Sequence, residues 1–259
     1  MNRIDKLFAD KKEKILSIFF TAGYPSLDDT MPLLRELQDG GVDMIELGMP
    51  YSDPLADGPV IQQSSQVALH NGMSISLLFD QIKEMRNEIN VPVILMGYLN
   101  PVLQYGFEKF CKTAAKCGVD GIILPDLPMH EFETIYKPVC DVNGLHFVFL
   151  VTPETSDVRL QKIDKLTGGF VYAVSSSSTT GHSDENLFDR QESYFARLRS
   201  AKLTHPFIIG FGIKDRTSFQ NACKYAAGAI IGSAFITSLQ KGDDIKNSSK
   251  GFVKEILGH

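Results

Sequence analysis

The 259-residue sequence has no tryptophan, although it carries 17 phenylalanines and 8 tyrosines. It has no apolar run approaching the roughly 18 residues that a membrane-spanning helix needs, so no such span is expected. Cysteine is scarce, and Cys111, Cys117, Cys140 and Cys223 form no CxxC pair and match no zinc spacing. A reduced thiol inventory in the cytoplasm is the plain expectation. Positive charge is not in excess either. Lys and Arg number 26 against 31 Asp and Glu, a formal net charge of −5, which argues against a dedicated nucleic-acid binder. The opening MNRIDKLFADKKEK contains no apolar h-region, so no secretory signal is read there.

What the sequence does contain is repetition. Short aliphatic or β-branched runs recur at 15–20, 44–48, 93–97, 121–125, 146–150, 170–174, 207–210 and 228–232, each bounded by Gly, Pro or Asp. Near-continuous apolar runs of this length suit strands covered on both faces, as in a parallel sheet. Helical patterns lie between most of them. Residues 107–117 place Phe107, Phe110, Ala114 and Cys117 at helical spacing, and 132–142 and 156–166 read similarly, the last with Ser156 as N-cap. The helix before the second strand starts near Thr30, which puts Pro32 in its first turn, where proline is tolerated.

A βα unit repeating through about 250 residues predicts an α/β fold, a (β/α)8 barrel with additional short helices. The alternative, a doubly wound open sheet, usually carries a Gly-rich loop after its first strand, and FFTAGYP is neither GxGxxG nor GxxxxGK[ST]. No linker-like composition shift interrupts the chain, so residues 1–259 read as one domain. Two intervals between strand starts are oversized, 49 residues after the second strand and 37 after the sixth. Barrel active sites occupy the loops after strand C-termini, so this extra sequence is expected to be functional. The second interval opens with SSSSTTGHSDENLF, a composition suited to a closing lid.

Glu46 is the first candidate. In VDMIELG, alternation places Met44, Glu46 and Gly48 on one face and Ile45 and Leu47 on the other. A carboxylate inside an apolar strand is costly to bury unpaired. Its place near the strand's C-terminal end favours catalysis over a satisfied core glutamate, and desolvation there suits it to proton transfer near neutrality. Asp57, in SDPLADGP, admits two readings on physics alone: a functional carboxylate, or the cap of the helix after Pro59. Asp53 reads as loop-shaping.

Gly210-Phe-Gly-Ile213 and Gly232-Ser233 follow the last two strands. Barrel phosphate sites are commonly built there from backbone N–H groups and a helix N-terminus. Gly212, Gly232 and Ser233 are therefore candidate phosphate donors, with Gly181 as a third source. The six histidines are scattered, no strand ends in lysine and no GxSxG elbow appears, so no metal site, Schiff-base lysine or serine triad is predicted. Acid–base chemistry by carboxylates on a phosphorylated small molecule remains. Phe19, Tyr98 and Tyr172, with Leu99, Leu124 and Phe211, would wall an unusually apolar pocket, which suggests an aromatic substrate body.

These segments carry a resemblance. FFTAGYP (19–25), IELGMPYSDPLADGP (45–59), LMGYLNP (95–101), GIILPDLP (121–128), FVYAVSSSSTTG (170–181), IIGFGI (208–213) and IIGSAF (230–235) are similar to the tryptophan synthase alpha-subunit family, essentially from end to end. GFGI and GSA are shared with other phosphate-binding barrels; the 45–59 segment is far more specific. The resemblance implies retro-aldol cleavage of indole-3-glycerol phosphate to indole and glyceraldehyde 3-phosphate. It implies Glu46 as the proton-handling catalytic residue, Asp57 as the group that stabilises the cationic indolenine, and Phe19, Tyr98 and Tyr172 as the indole pocket. It implies that Thr180 positions Asp57, and that Gly181, Gly212, Gly232 and Ser233 bind phosphate. Many members carry glycine where this chain has Ser178. The resemblance further implies no cofactor in this chain, and a beta-subunit partner bearing pyridoxal phosphate in an α2β2 complex. The loop after Tyr51 and the segment around Asn100-Pro101 are the contact candidates. A sugar-phosphate isomerase or epimerase, or a non-catalytic phosphate-binding barrel, is the alternative.

Overall fold

The computed structural model describes residues 1–175, 185–241 and 244–258. Its strand segments are β1 (Ile15–Thr21), β2 (Met44–Gly48), β3 (Val93–Met96), β4 (Gly121–Ile123), β5 (His146–Phe147), β6 (Leu150–Val151), β7 (Val171–Val174), β8 (Phe207–Gly210) and β9 (Gly228–Ile231). Every residue of β1 and β2 is buried, as apolar runs covered on both faces require. The hydrogen-bonded order is β5-β4-β3-β2-β1-β9-β8-β7-β6, and every pairing is parallel.

The two ends of that order are consecutive in the chain, separated only by Val148 and Phe149. The fifth run therefore serves one neighbour with each half: β5 pairs with β4 and β6 with β7. Val148 N–H donates to Ile122 O and Tyr172 N–H to Phe149 O, both at 3.0 Å, so the ladder crosses the gap. Strands in a closed barrel are tilted and sheared, so one strand meets its two neighbours at different heights. The eightfold parallel barrel closes there.

The helices follow the expected pattern closely. Phe107–Cys117 buries Phe107, Phe110, Ala114 and Cys117. Asp157–Leu166 is capped by Ser156, whose hydroxyl accepts the Arg159 N–H at 3.3 Å. Thr30–Gly40 holds Pro32 in its first turn. The segment 132–142 is helical but not uniform, being π-wound over Phe132–Tyr136 before an α-helix at Lys137–Val142. Pro138, with no N–H to donate four residues back, sits at that junction. The long interval after the second strand contains the helices Pro59–His70 and Ile75–Ile82, and the one opening with SSSSTTGHSDENLF contains Glu185–Ser200. Among the described residues no helix is long and apolar enough to cross a membrane.

The helix Arg3–Asp10, which periodicity over so short a stretch does not announce, covers the N-terminal end of the barrel and buries Ile4 and Phe8. Asp120, 3% exposed, gathers the polar contacts at that end. It pairs with Arg3 and Arg86, and its Oδ2 accepts the Val93 N–H at 2.9 Å. His146 and His205 are at this end too, bonded to Asp5 and Asp164. The C-terminal ends of the strands are left for the site.

Candidate active site

The site begins on the two paired strands β1 and β2. Phe19 is opposite Glu46, and Ser17 opposite Met44, so alternation puts Ser17, Phe19, Thr21, Glu46 and Gly48 on one face. Glu46 is 0% exposed, and neither carboxyl oxygen has a hydrogen-bond partner among the described residues. Burial in this apolar surrounding raises its pKa to about 8, and the nearby Ser17 hydroxyl acts against that rise.

Asp57 belongs to the loop after β2. The helix that follows is capped by Gly58 without a side-chain bond, which removes the reading of Asp57 as its cap. The Asp57 carboxylate instead accepts the Tyr98 hydroxyl at 2.9 Å. Tyr98, just beyond β3, also accepts the Ala56 N–H at 3.0 Å. Partial burial lifts Asp57 to about 6, and the Tyr98 hydrogen bond acts against that rise. Tyr172 on β7 is almost fully buried. Its phenol is held well above its ordinary range, first by burial and then by the charges of Glu46 and Asp57. Those two carboxylates are therefore within electrostatic reach of one ring.

The glycines at the strand ends make room for aromatic rings. A Cβ on Gly48 would stand 2.5 Å from Phe19 Cζ, and one on Gly232 would stand 3.3 Å from Phe19 Cδ1. A Cβ on Gly210 would run into the Tyr172 ring. Phe19 and Tyr172 can thus lie across the mouth only because these positions lack side chains. Phe19, Thr21, Gly48, Met49, Asp57 and Tyr98 line a cavity there.

The turn after β8 puts both Phe211 and Gly212 at positive φ, 67° and 75°. Glycine accepts this freely, but phenylalanine is strained and needs support. Ser175 supplies it, its hydroxyl donating to Phe211 O at 2.7 Å. The Phe211 ring meets Tyr172 edge-on at 6.1 Å between centroids. Beside this turn, β9 runs through Gly232 into the helix Ser233–Lys241. The pairing of β8 with β9 brings the two turns to one rim, where the first N–H groups of that helix have no intrahelical acceptor.

Glu46, Asp57, Phe19, Tyr98, Tyr172, Phe211, Gly212, Gly232 and Ser233 thus collect at the C-terminal end of the barrel. Ser178, Thr180 and Gly181 lie outside the described residues. Among the described residues no group of three His, Cys, Asp or Glu side chains is placed to hold a metal ion. Sequence reasoning treated Tyr98 as a wall and missed its bond to Asp57, which no local pattern encodes. It also passed over Ser17 and Thr21. The signal was available, since they are polar residues in an apolar strand, as Glu46 is.

The family model described as tryptophan synthase alpha chain matches residues 6–256. A Flavobacterium johnsoniae protein named tryptophan synthase alpha chain is 51% identical over 100% of this chain and 99% of its own length. One of the same name from Bacteroides thetaiotaomicron is 46% identical over 94% of this chain and 95% of its own. The crystal structure of the tryptophan synthase alpha chain from Legionella pneumophila superposes with a TM-score of 0.88 at 32% identity, covering 100% of this chain and 97% of that one. With the barrel closed, both carboxylates at its C-terminal end and these matches spanning nearly its full length, the chain belongs to the tryptophan synthase alpha-chain family.

Proposed function

We propose that this chain cleaves indole-3-glycerol phosphate to indole and glyceraldehyde 3-phosphate with Glu46 and Asp57 as its acid–base pair. The observation that carries the reading is Glu46 itself: a fully buried carboxyl with no hydrogen-bond donor among the described residues, at the C-terminal end of a barrel strand. Carbon–carbon lyase activity follows from the family.

The two carboxylates differ in environment, and that difference divides the labour. Between pH of about 6 and about 8, Glu46 holds its proton while Asp57 is ionised. Protonated Glu46 gives its proton to indole C3, which makes the ring a cationic indolenine. The Asp57 carboxylate accepts the indole N–H and stabilises that charge. Glu46, now a carboxylate, takes the proton of the adjacent glycerol hydroxyl. The C–C bond breaks, its electron pair returns to the ring, and an aldehyde forms on the glycerol fragment. One proton is donated and one recovered, so Glu46 ends as it began.

Phe19, Tyr98, Tyr172 and Phe211 hold the indole ring, and Thr180 positions Asp57. Gly181, Gly212, Gly232 and Ser233 receive the phosphate, using backbone N–H groups and a helix N-terminus rather than cationic side chains. The partner is a beta subunit that carries pyridoxal phosphate, in an α2β2 complex in the cytoplasm. Tyr51 and Asn100 are joined by a 3.2 Å hydrogen bond, and Leu55 and Leu103, 91% and 45% exposed, belong to the same two segments, which fits a docking role. Residues 1–259 act as a single domain.

Glu46→Gln is the test. Indole release by the purified chain, alone and with a beta subunit, collapses while the circular dichroism spectrum is retained. Near-normal turnover would sink the assignment, and failure of the unaltered chain to release indole would return the barrel to another phosphorylated substrate.

A further inference from the structure

Ser17 is a polar residue where the barrel asks for an apolar one. Barrel interiors are filled in layers, mostly by branched aliphatic side chains, and β1 otherwise supplies Ile, Leu and Phe up to Thr21. Ser17 is 0% exposed, and its hydroxyl finds no hydrogen-bond partner among the described residues. An unsatisfied buried hydroxyl is a standing cost that alanine would remove, so a packing role does not explain it.

Its neighbour across the β1–β2 pairing has the same defect. Glu46 is two residues beyond Met44, the register partner of Ser17, and shares its face. Both Glu46 oxygens likewise have no hydrogen-bond partner among the described residues. The residues flanking Glu46 in register are apolar, Phe19 on β1 and Ile94 on β3. The titratable groups that sense it are Tyr172 and, through that same ring, Asp57. Asp57 carries negative charge, so it cannot help Glu46 bear one. Among the described residues the Ser17 hydroxyl is what favours the charged form of Glu46, against the burial that disfavours it.

We propose that Ser17 is a positioning residue for Glu46, its hydroxyl donating to the Glu46 carboxylate while that carboxylate is without its proton. The proposal rests on the reading of Glu46 as the proton-handling group. A buried carboxylate with no donor is both costly and free to turn. A single O–H from the adjacent strand stabilises it and fixes which oxygen faces the substrate hydroxyl. When Glu46 is protonated the bond is not needed, and in the structure neither group has a hydrogen-bond partner among the described residues.

The test compares Ser17→Ala with Ser17→Thr in the full chain. It uses two readouts: the pH profile of indole release, and the titration of Glu46 without substrate. The second is followed by infrared difference spectroscopy against Glu46→Gln. Ser17→Ala is expected to lower kcat by about tenfold, the value of one buried hydrogen bond to a charged group, with KM within about twofold. The Glu46 midpoint should move up by about one pH unit, the titration equivalent of that loss. Ser17→Thr restores both, and where its methyl does not fit, Ser17→Cys gives an intermediate midpoint through its weaker donor. A lower kcat with an unmoved midpoint marks a packing effect and overturns the proposal, as does an unchanged Ser17→Ala. If Glu46→Gln keeps its activity while Ser17→Ala still moves the midpoint, the catalytic reading fails first and takes the positioning role with it. The infrared shift separates that failure from an error in the pairing.

Discussion

The Tyr98 hydroxyl bridges the loop after β2, donating to Asp57 Oδ2 at 2.9 Å and accepting the Ala56 N–H at 3.0 Å. Asp57 sits in a Pro- and Gly-rich loop, so its carboxylate direction is set by this one phenol rather than by a regular element. The phenol is in turn anchored at the end of β3 and packs against Tyr51 at 5.3 Å between ring centroids. Tyr98 therefore both aims the Asp57 carboxylate and opposes the rise that burial imposes on its pKa.

Tyr98→Phe removes the donor and leaves the ring. The lost hydrogen bond to a charged group is worth about 1.5 kcal/mol, so kcat/KM should fall about tenfold. Asp57, already raised to about 6 by burial with Tyr98 opposing the rise, should titrate higher still, so the low-pH limb of the rate profile moves to higher pH. A pH–rate series checks this. An unmoved limb would mean that Tyr98 does not govern Asp57.

Glu46 should also leave a mark on stability. Its folded pKa of about 8 lies above the ordinary value of 4.5, so between those limits the folded state binds more protons than the unfolded one. Stability tied to this group is fully present below about pH 4.5 and is lost as pH rises toward 8. Glu46→Gln never ionises. Its Tm advantage over the unaltered chain should be smallest near pH 4.5, widen up to about pH 8 and then level off, for a span of a few kcal/mol. Thermal unfolding across pH measures it, and a constant gap would contradict the burial of Glu46.

Gly210→Ala places a methyl into the Tyr172 ring. Both positions are in well-packed strands, so a loss of about 1–3 kcal/mol is expected from overpacking, together with weaker substrate binding. Shortening the ring relieves the clash. The double change Gly210→Ala with Tyr172→Leu should therefore cost less than the two single changes added together. Additive losses in chemical denaturation would place the clash elsewhere.

Asp120→Ala tests the other end of the barrel. It strands Arg86 and Arg3 and leaves the Val93 N–H without its acceptor. Removing one member of a buried ion pair costs about 3–5 kcal/mol. At temperatures where the variant remains folded, kcat and KM for indole release should stay within about twofold, since contacts at this face serve stability and not chemistry. A selective fall in kcat would show coupling between the two ends.

What could be read from the residues in order is what depends on near neighbours. Apolar runs at regular intervals announced a parallel barrel, because a strand covered on both faces must be apolar throughout. Ser156 announced a helix start because its cap bond reaches only to Arg159. Glu46 stood out because charge in such a strand is costly wherever the strand ends up.

Closure of the barrel decided the rest. It split the fifth strand between β4 and β7, brought the helix Arg3–Asp10 over the far end, and gave Asp57 a partner from 41 residues away, Tyr98, instead of a cap at the next helix. It also made Gly48, Gly210 and Gly232 into space for Phe19 and Tyr172. Each of these contacts joins segments whose separation in sequence carries no periodic signal. They exist because a closed ring of tilted strands sets neighbours and heights together. Sequence by itself determined which residues are too polar for their strand, and only the tertiary structure decided which of them meet.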